Sequence, residues 1–164
     1  MTEFQKLYEN NYRSVYYYIR NLCSDMRLAE DLTQEAFYNA LLFICEGKGV
    51  KICKSWLVKV AHNVFIDYLR KNRTDVNTIS LYDDYETSTT FDSAARLDLI
   101  TIFEKLPVRY RSLILLKDHY GFSYKEIAGI MNSSEAAIKV TLFRARKRLE
   151  ELYDRYEADT GMEL

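Results

Sequence analysis

Residues Phe122–Leu149 read FSYKEIAGIMNSSEAAIKVTLFRARKRL, two helical patterns separated by a short turn. Ser123 and Glu126 stand three apart, the spacing at which each side chain satisfies the other's backbone amide at a helix start. Ile127, Ala128 and Met131 share one face of the helix that follows. Asn132 then suits a left-handed turn conformation. Ser133 or Ser134 caps a second helix, with Glu135 in its first turn. Ile138, Leu142, Ala145 and Leu149 give that helix an inner stripe at spacings of four, three and four. Two helices joined in this way make a helix-turn-helix, and Ala128 is small where they cross. The outer face of the second helix carries Glu135, Lys139, Val140, Phe143, Arg144 and Lys147. No acid occurs from Ala136 to Leu149, whereas Lys139, Arg144, Arg146, Lys147 and Arg148 supply five positive charges. A charge run alone fits a solvated helical hairpin. Cap, turn, small crossing residue, stripe and basic outer face together fit a helix meeting phosphates.

The 164 residues carry a net charge of −1, one proline and five glycines. Richness in Leu, Ile, Tyr, Lys and Glu favours an all-α protein. The charge is segregated. Residues 1–46 hold four bases against seven acids, 47–73 seven against one, 74–98 one against six, and 99–164 eleven against ten. Two basic zones thus flank an acidic one, and the distribution of patches governs steering toward DNA. Cys23, Cys45 and Cys53 are an odd, widely spaced set, which points to a reducing compartment rather than a disulfide framework. Without a C-x-x-C, and with His62 and His119 far apart, no metal or other cofactor is expected. No leader or membrane-spanning run is apparent, so a cytoplasmic protein is expected.

Outward from the helix-turn-helix, the periodicity predicts helices over 2–22, over 25–45 with Asp25 as N-cap, and over 56–72 with Ser55 as N-cap. Tyr16, Tyr17 and Tyr18 cannot all be inside. The second helix carries Glu30, Asp31, Gln34 and Glu35 on one face, either a solvated face or a docking face for a basic partner. In the third, Trp56 and Phe65 interleave with Lys54, Lys59, His62, Arg70, Lys71 and Arg73. Aromatics among bases suit unpaired nucleic acid, and core packing is the other reading for Trp56 and Phe65. Residues 74–93 lose periodicity and are read as an acidic linker between a domain at 1–73 and a domain at 94–164. Ala94–Lys105 reads as helix, Pro107 opens the next at its first turn, and Gly121 ends it. Residues 150–164 hold six acids and one base and are expected to fray at the end.

Three stretches resemble the extracytoplasmic-function (ECF) group of bacterial sigma-70-type sigma factors. LAEDLTQEAF at Leu28–Phe37 is similar to the family's segment for binding core RNA polymerase. SWLVKVAHNVFIDYLR at Ser55–Arg70 is similar to its segment for melting and recognising the −10 element. Leu106 onward to Leu149 is similar to its −35-reading domain. The resemblance spans nearly the whole chain and implies two small helical domains, sigma-2-like and sigma-4-like, on a flexible linker, with no catalytic centre. It implies core-polymerase contacts at Asp31, Leu32, Gln34, Glu35 and Phe37. It implies −10 DNA contacts at Lys54, Trp56, Lys59, His62, Asn63, Arg70, Lys71 and Arg73. For the −35 duplex it implies Ser134, Glu135, Lys139, Val140, Thr141, Phe143, Arg144 and Lys147. An anti-sigma factor is a further implied partner. The chain departs from the family's usual pattern at Ala136, Ala137 and Ile138, and at Val140-Thr141 where Ser-Arg is frequent, which leaves the −35 sequence open. A stand-alone helix-turn-helix regulator is the alternative. The basic, aromatic 47–73 segment argues against it, because it reads as a melting device rather than a dimer seam.

Overall fold

The computed structural model describes residues 1–23, 25–49, 51–72 and 97–161. Every regular element among them is helical: α1 (Glu3–Leu22), α2 (Met26–Cys45), α3 (Lys54–Lys71), α4 (Leu97–Glu104), α5 (Val108–Ile114), α6 (Tyr124–Met131) and α7 (Glu135–Thr160). A π-helical turn, Leu115–His119, continues α5. The chain divides into two compact units. The expected linker, 74–93, lies outside the described residues, as does Arg73.

The first unit is a three-helix bundle in which α1, α2 and α3 all touch one another. Its core combines Val15, Tyr18, Ile19 and Leu22 with Leu32 and Phe37, and with Leu57, Val58, Val64, Phe65 and Leu69. Ala29, Ala36, Ala40 and Ala61 are buried among them and let the helix axes approach. Of the tyrosine triplet, Tyr18 is buried, Tyr16 is half-buried and Tyr17 is exposed. Asp25 caps α2 by accepting from the amides of Arg27 and Leu28. The expected cap of α3 moves: Cys53, not Ser55, is the N-cap, and the helix begins at Lys54. Cys53 makes no side-chain cap bond to the helix, and its Sγ lies 3.1 Å from Ser55 Oγ.

In the second unit, α5 and α4 pack against α7. Ile102, Leu106, Val108, Leu113, Leu116, Ile138 and Leu142 are almost wholly buried. Pro107 sits one residue earlier than expected, as the N-cap of α5. Ser123 and Glu126 form the reciprocal cap of α6, with both bonds at 3.1 Å. Asn132 adopts φ 50° and turns the chain. Ser134 is the cap of α7, accepting from the amide of Ala137 at 3.1 Å. The expected fraying at the end falls on 162–164, outside the described residues, and up to there α7 runs on to Thr160 and closes on Gly161 at φ 65°. The reason is packing. Leu149, Leu152 and Tyr156 prolong the inner stripe at spacings of three and four, and all are half-buried.

Candidate polymerase and nucleic-acid interfaces

Helix α2 turns its buried side inward through Ala29, Leu32, Ala36 and Ala40. The opposite side exposes Asp31, Gln34 and Glu35, so these three form one acidic, solvent-facing surface. Gln34 is held there, its Nε2 donating to Tyr8 Oη across the α1–α2 seam at 3.3 Å. Along that seam Tyr8 packs on Tyr12 and Phe37, and Tyr12 stacks on Tyr16. Burial, with Tyr8, Glu30 and Tyr16 nearby, pushes the Tyr12 phenol up. Leu32 and Phe37, expected as polymerase contacts, are instead core residues, 4% and 2% exposed. They can position the acidic face but not touch a partner. The apolar atoms of that face belong to Tyr38 and Leu42, which are 60% and 45% exposed. Sequence reasoning missed both. The signal was available: Tyr38 lies four residues after Gln34 and seven after Asp31, on their side of the helix.

Helix α3 lines up Trp56, Lys59, Asn63 and Arg70 on its outer side, at spacings of three, four and seven. Lys59, Asn63, Arg70 and Lys71 are exposed, as is Lys54 at the helix start. Arg70 makes a surface pair with Asp67 at 3.6 Å. Trp56 is half-buried and leans on Phe43, with centroids 5.1 Å apart. Lys48, from the loop after α2, places its Nζ 5.5 Å from the Phe43 ring. One side of the Trp56 ring therefore packs, as the core reading expects, and part of the ring remains accessible. His62 requires a correction. It is 2% exposed, and its Nδ1 is hydrogen-bonded to Tyr18 Oη at 2.8 Å. A ring in the bundle core cannot meet a DNA strand.

On α7, Glu135, Lys139, Val140, Phe143, Arg144 and Lys147 are all exposed, as expected. Lys139 reaches back, its Nζ 5.1 Å from the Tyr124 ring, which Lys117 covers at 4.2 Å. Ser134 is occupied as the cap. Thr141 is half-buried and donates its hydroxyl to Ala137 O at 2.8 Å, so that hydroxyl is turned toward the helix rather than outward. Two of the five bases pair with acids of the chain itself. Arg146 grips Asp118 of the π-helical turn, with Nε donating to Oδ2 at 3.1 Å and Nη2 to Oδ1. The hydrogen bond to Asp118 pushes the Arg146 guanidinium still further up. Arg148 pairs with Glu151 at 3.4 Å. Among the described residues, no cluster of His, Cys, Asp or Glu is arranged to hold a metal ion, and no helix is long and apolar enough to cross a membrane.

Comparison with known proteins bears on these three faces together. The family model for Sigma-70 region 2 matches residues 7–74, and that for Sigma-70, region 4, matches residues 96–149. The ECF RNA polymerase sigma factor SigM of Bacillus subtilis (strain 168) is 37% identical over 155 residues, covering 92% of this chain and 94% of that protein. The chain belongs to the ECF group of sigma-70-type sigma factors. Members of this family are transcription initiation factors that direct RNA polymerase to promoters. The sigma factor YlaC of the same organism is 27% identical, with 89% of each chain covered. Among solved structures, the sigma factor RpoE from Bartonella quintana, crystallised with the anti-sigma factor NepR, matches with a TM-score of 0.72 at 24% identity. That match covers 94% of this sigma factor and 98% of RpoE, and it speaks for the fold.

Proposed function

We propose that this sigma factor divides its work among the three faces. The domain at 1–73 docks on core RNA polymerase through Asp31, Gln34 and Glu35, with Tyr38 and Leu42 in place of Leu32 and Phe37. The same domain captures the opened −10 strand on Lys54, Trp56, Lys59, Asn63, Arg70, Lys71 and Arg73. Base extrusion costs a few kcal/mol, and stacking on an aromatic ring offsets it. The domain at 94–164 reads the −35 duplex with α7, where Lys139, Arg144 and Lys147 reach phosphates and Val140 and Phe143 meet base edges. The work is binding and positioning rather than catalysis, in the cytoplasm, and an anti-sigma factor masks one or more of these faces. The observation that carries this reading is the separation of charge. The outer side of α2 is acidic, and the outer sides of α3 and α7 are basic, each within a segment that matches the family.

Reconstitution with purified core RNA polymerase on a library of promoter fragments tests it. Start-site-specific transcripts are expected from a subset sharing two spaced elements. In the same assay Asp31→Lys with Glu35→Lys should abolish holoenzyme formation while the helical circular dichroism stays unchanged. A double variant that still binds core normally would sink the assignment of α2. Duplex binding without core binding would favour the stand-alone regulator.

A further inference from the structure

The outer side of α7 is not a uniform basic surface. Successive residues turn by about 100° around a helix. Ile138, Leu142 and Ala145 are buried and fix the inner side. Directly opposite them fall Ala136, Val140, Phe143 and Lys147. Lys139 and Arg144 lie to either side of that line, each about 70° away by the same geometry. The apex of the first turns is thus apolar, and the cations flank it. Val140 and Phe143 are 51% and 68% exposed, so this ridge is uncovered in the free protein.

A helix in the major groove meets base edges with its apex and phosphates with its flanks. Val140 can neither donate nor accept a hydrogen bond. The adjacent hydroxyl, that of Thr141, is directed to Ala137 O and does not supply the missing polarity. On the floor of the groove, the thymine C5-methyl is the apolar group that a base pair presents. A G·C pair carries no methyl there, so Val140 facing it would gain no apolar contact. A basic margin with no acid from Ala136 to Leu149 favours this polyanion over a protein partner for the ridge.

We propose that Val140 packs on a thymine methyl in the −35 duplex and makes this sigma factor select a T·A pair at that position. The proposal rests on the reading that α7 enters the −35 major groove. Its test uses the full chain assembled with core RNA polymerase, on a promoter taken from the library above. Each −35 thymine, on either strand, is replaced in turn by deoxyuridine, which lacks only the methyl. At one thymine, affinity should fall by about fourfold, the size expected for one methyl leaving an apolar contact. Val140→Ser should lower affinity for the parent promoter by a similar factor and show no further response to that deoxyuridine. Val140→Ile, which retains the apolar tip, should keep the response. The proposal is overturned if no thymine responds, or if Val140→Ser responds as the parent does. The second result would also leave the ridge to a protein partner. A holoenzyme that forms normally but shows no dependence on any −35 base would overturn the placement of α7, and this proposal with it. The exposure of Val140 keeps the variants foldable, and thermal melts check this.

Discussion

Helix α3 buries eight of its 18 residues, including His62 and Ile66, because α1 and α2 both pack against it. The N-terminal half of α7 buries only Ile138, Leu142 and Ala145. Both helices present bases to solvent, yet their buried arcs differ in width. A narrow arc can be drawn from periodicity alone, because the apolar stripe is the arc. A wide arc is set by neighbours, and it takes in polar residues at its margins. His62 is such a residue. It has a basic reputation, lies between exposed Lys59 and Asn63 in sequence, and still points at Tyr18.

The largest effect that tests this contrast belongs to Trp56, at the edge of the wide arc. If its accessible side stacks on an unpaired −10 base, Trp56→Ala should reduce open-complex formation by about 5- to 150-fold, corresponding to ~1–3 kcal/mol per stacked base. Duplex −35 binding should be unchanged, which permanganate footprinting beside a gel-shift assay would show. Equal loss in both assays would mean that Trp56 is only a wedge between α2 and α3. In that case the packing against Phe43 is its whole role.

Next in size is the Tyr18–His62 pair. Tyr18→Phe removes one hydroxyl and leaves His62 Nδ1 without that partner in the core. A cost of about 1–3 kcal/mol is expected for a buried polar group deprived of its bond. Denaturant unfolding of the first unit would measure it. Promoter affinity at matched folded concentration should not change. If instead stability holds and −10 affinity falls, His62 belongs to the DNA face after all, and the wide arc is narrower than the structure shows.

The difference between the helices also explains what was legible in the sequence. The Ser123–Glu126 box, Asn132 and Ser134 are local signals whose partners lie within three residues or in their own backbone; the first two occur where the sequence places them, and Ser134 is one of the two serines it offers as cap. The start of α3 was displaced because a serine two residues inside the helix looks as good a cap as any. Choosing Cys53 requires knowing where the loop delivers the chain. Leu32 and Phe37 are a subtler case. They sit inside the motif LAEDLTQEAF, and a motif marks a segment without telling its inside from its outside. The buried alanines of α2 do tell them apart: Ala29, Ala36 and Ala40 mark the inner side, which Leu32 and Phe37 share. The long tail of α7 was hidden by its five acids, because charge is more conspicuous than the half-buried Leu152 and Tyr156 that hold it.

Lys139 and Arg144 sharpen the contrast from the α7 side, with a smaller effect. Each neutralisation to Ala should weaken duplex binding evenly across −35 sequences. Each should also reduce the slope of log affinity against log salt by about one. A change in sequence preference, rather than in slope, would move that residue from a phosphate to a base edge.

The smallest expected effect separates the bases of α7 from one another. Arg146 stands one residue before Lys147 and looks equally suited to DNA by sequence, but its guanidinium is engaged by Asp118. The pair is about half-exposed on both sides, so its worth to the fold should be under ~1 kcal/mol even with its two-pronged geometry. Arg146→Ala should therefore lower the melting temperature of the second unit slightly and leave the salt dependence of DNA binding unaltered. Asp118→Asn should do the opposite to DNA: with its anchor weakened, Arg146 becomes one more cation near the groove, and the salt slope should steepen by up to about one. Measuring both variants beside Arg144→Ala makes the inference directional. If Arg146→Ala flattens the slope as much as Arg144→Ala does, the guanidinium exchanges Asp118 for a phosphate on binding. The width of the DNA-facing side of α7 would then be set by the complex rather than by the free helix.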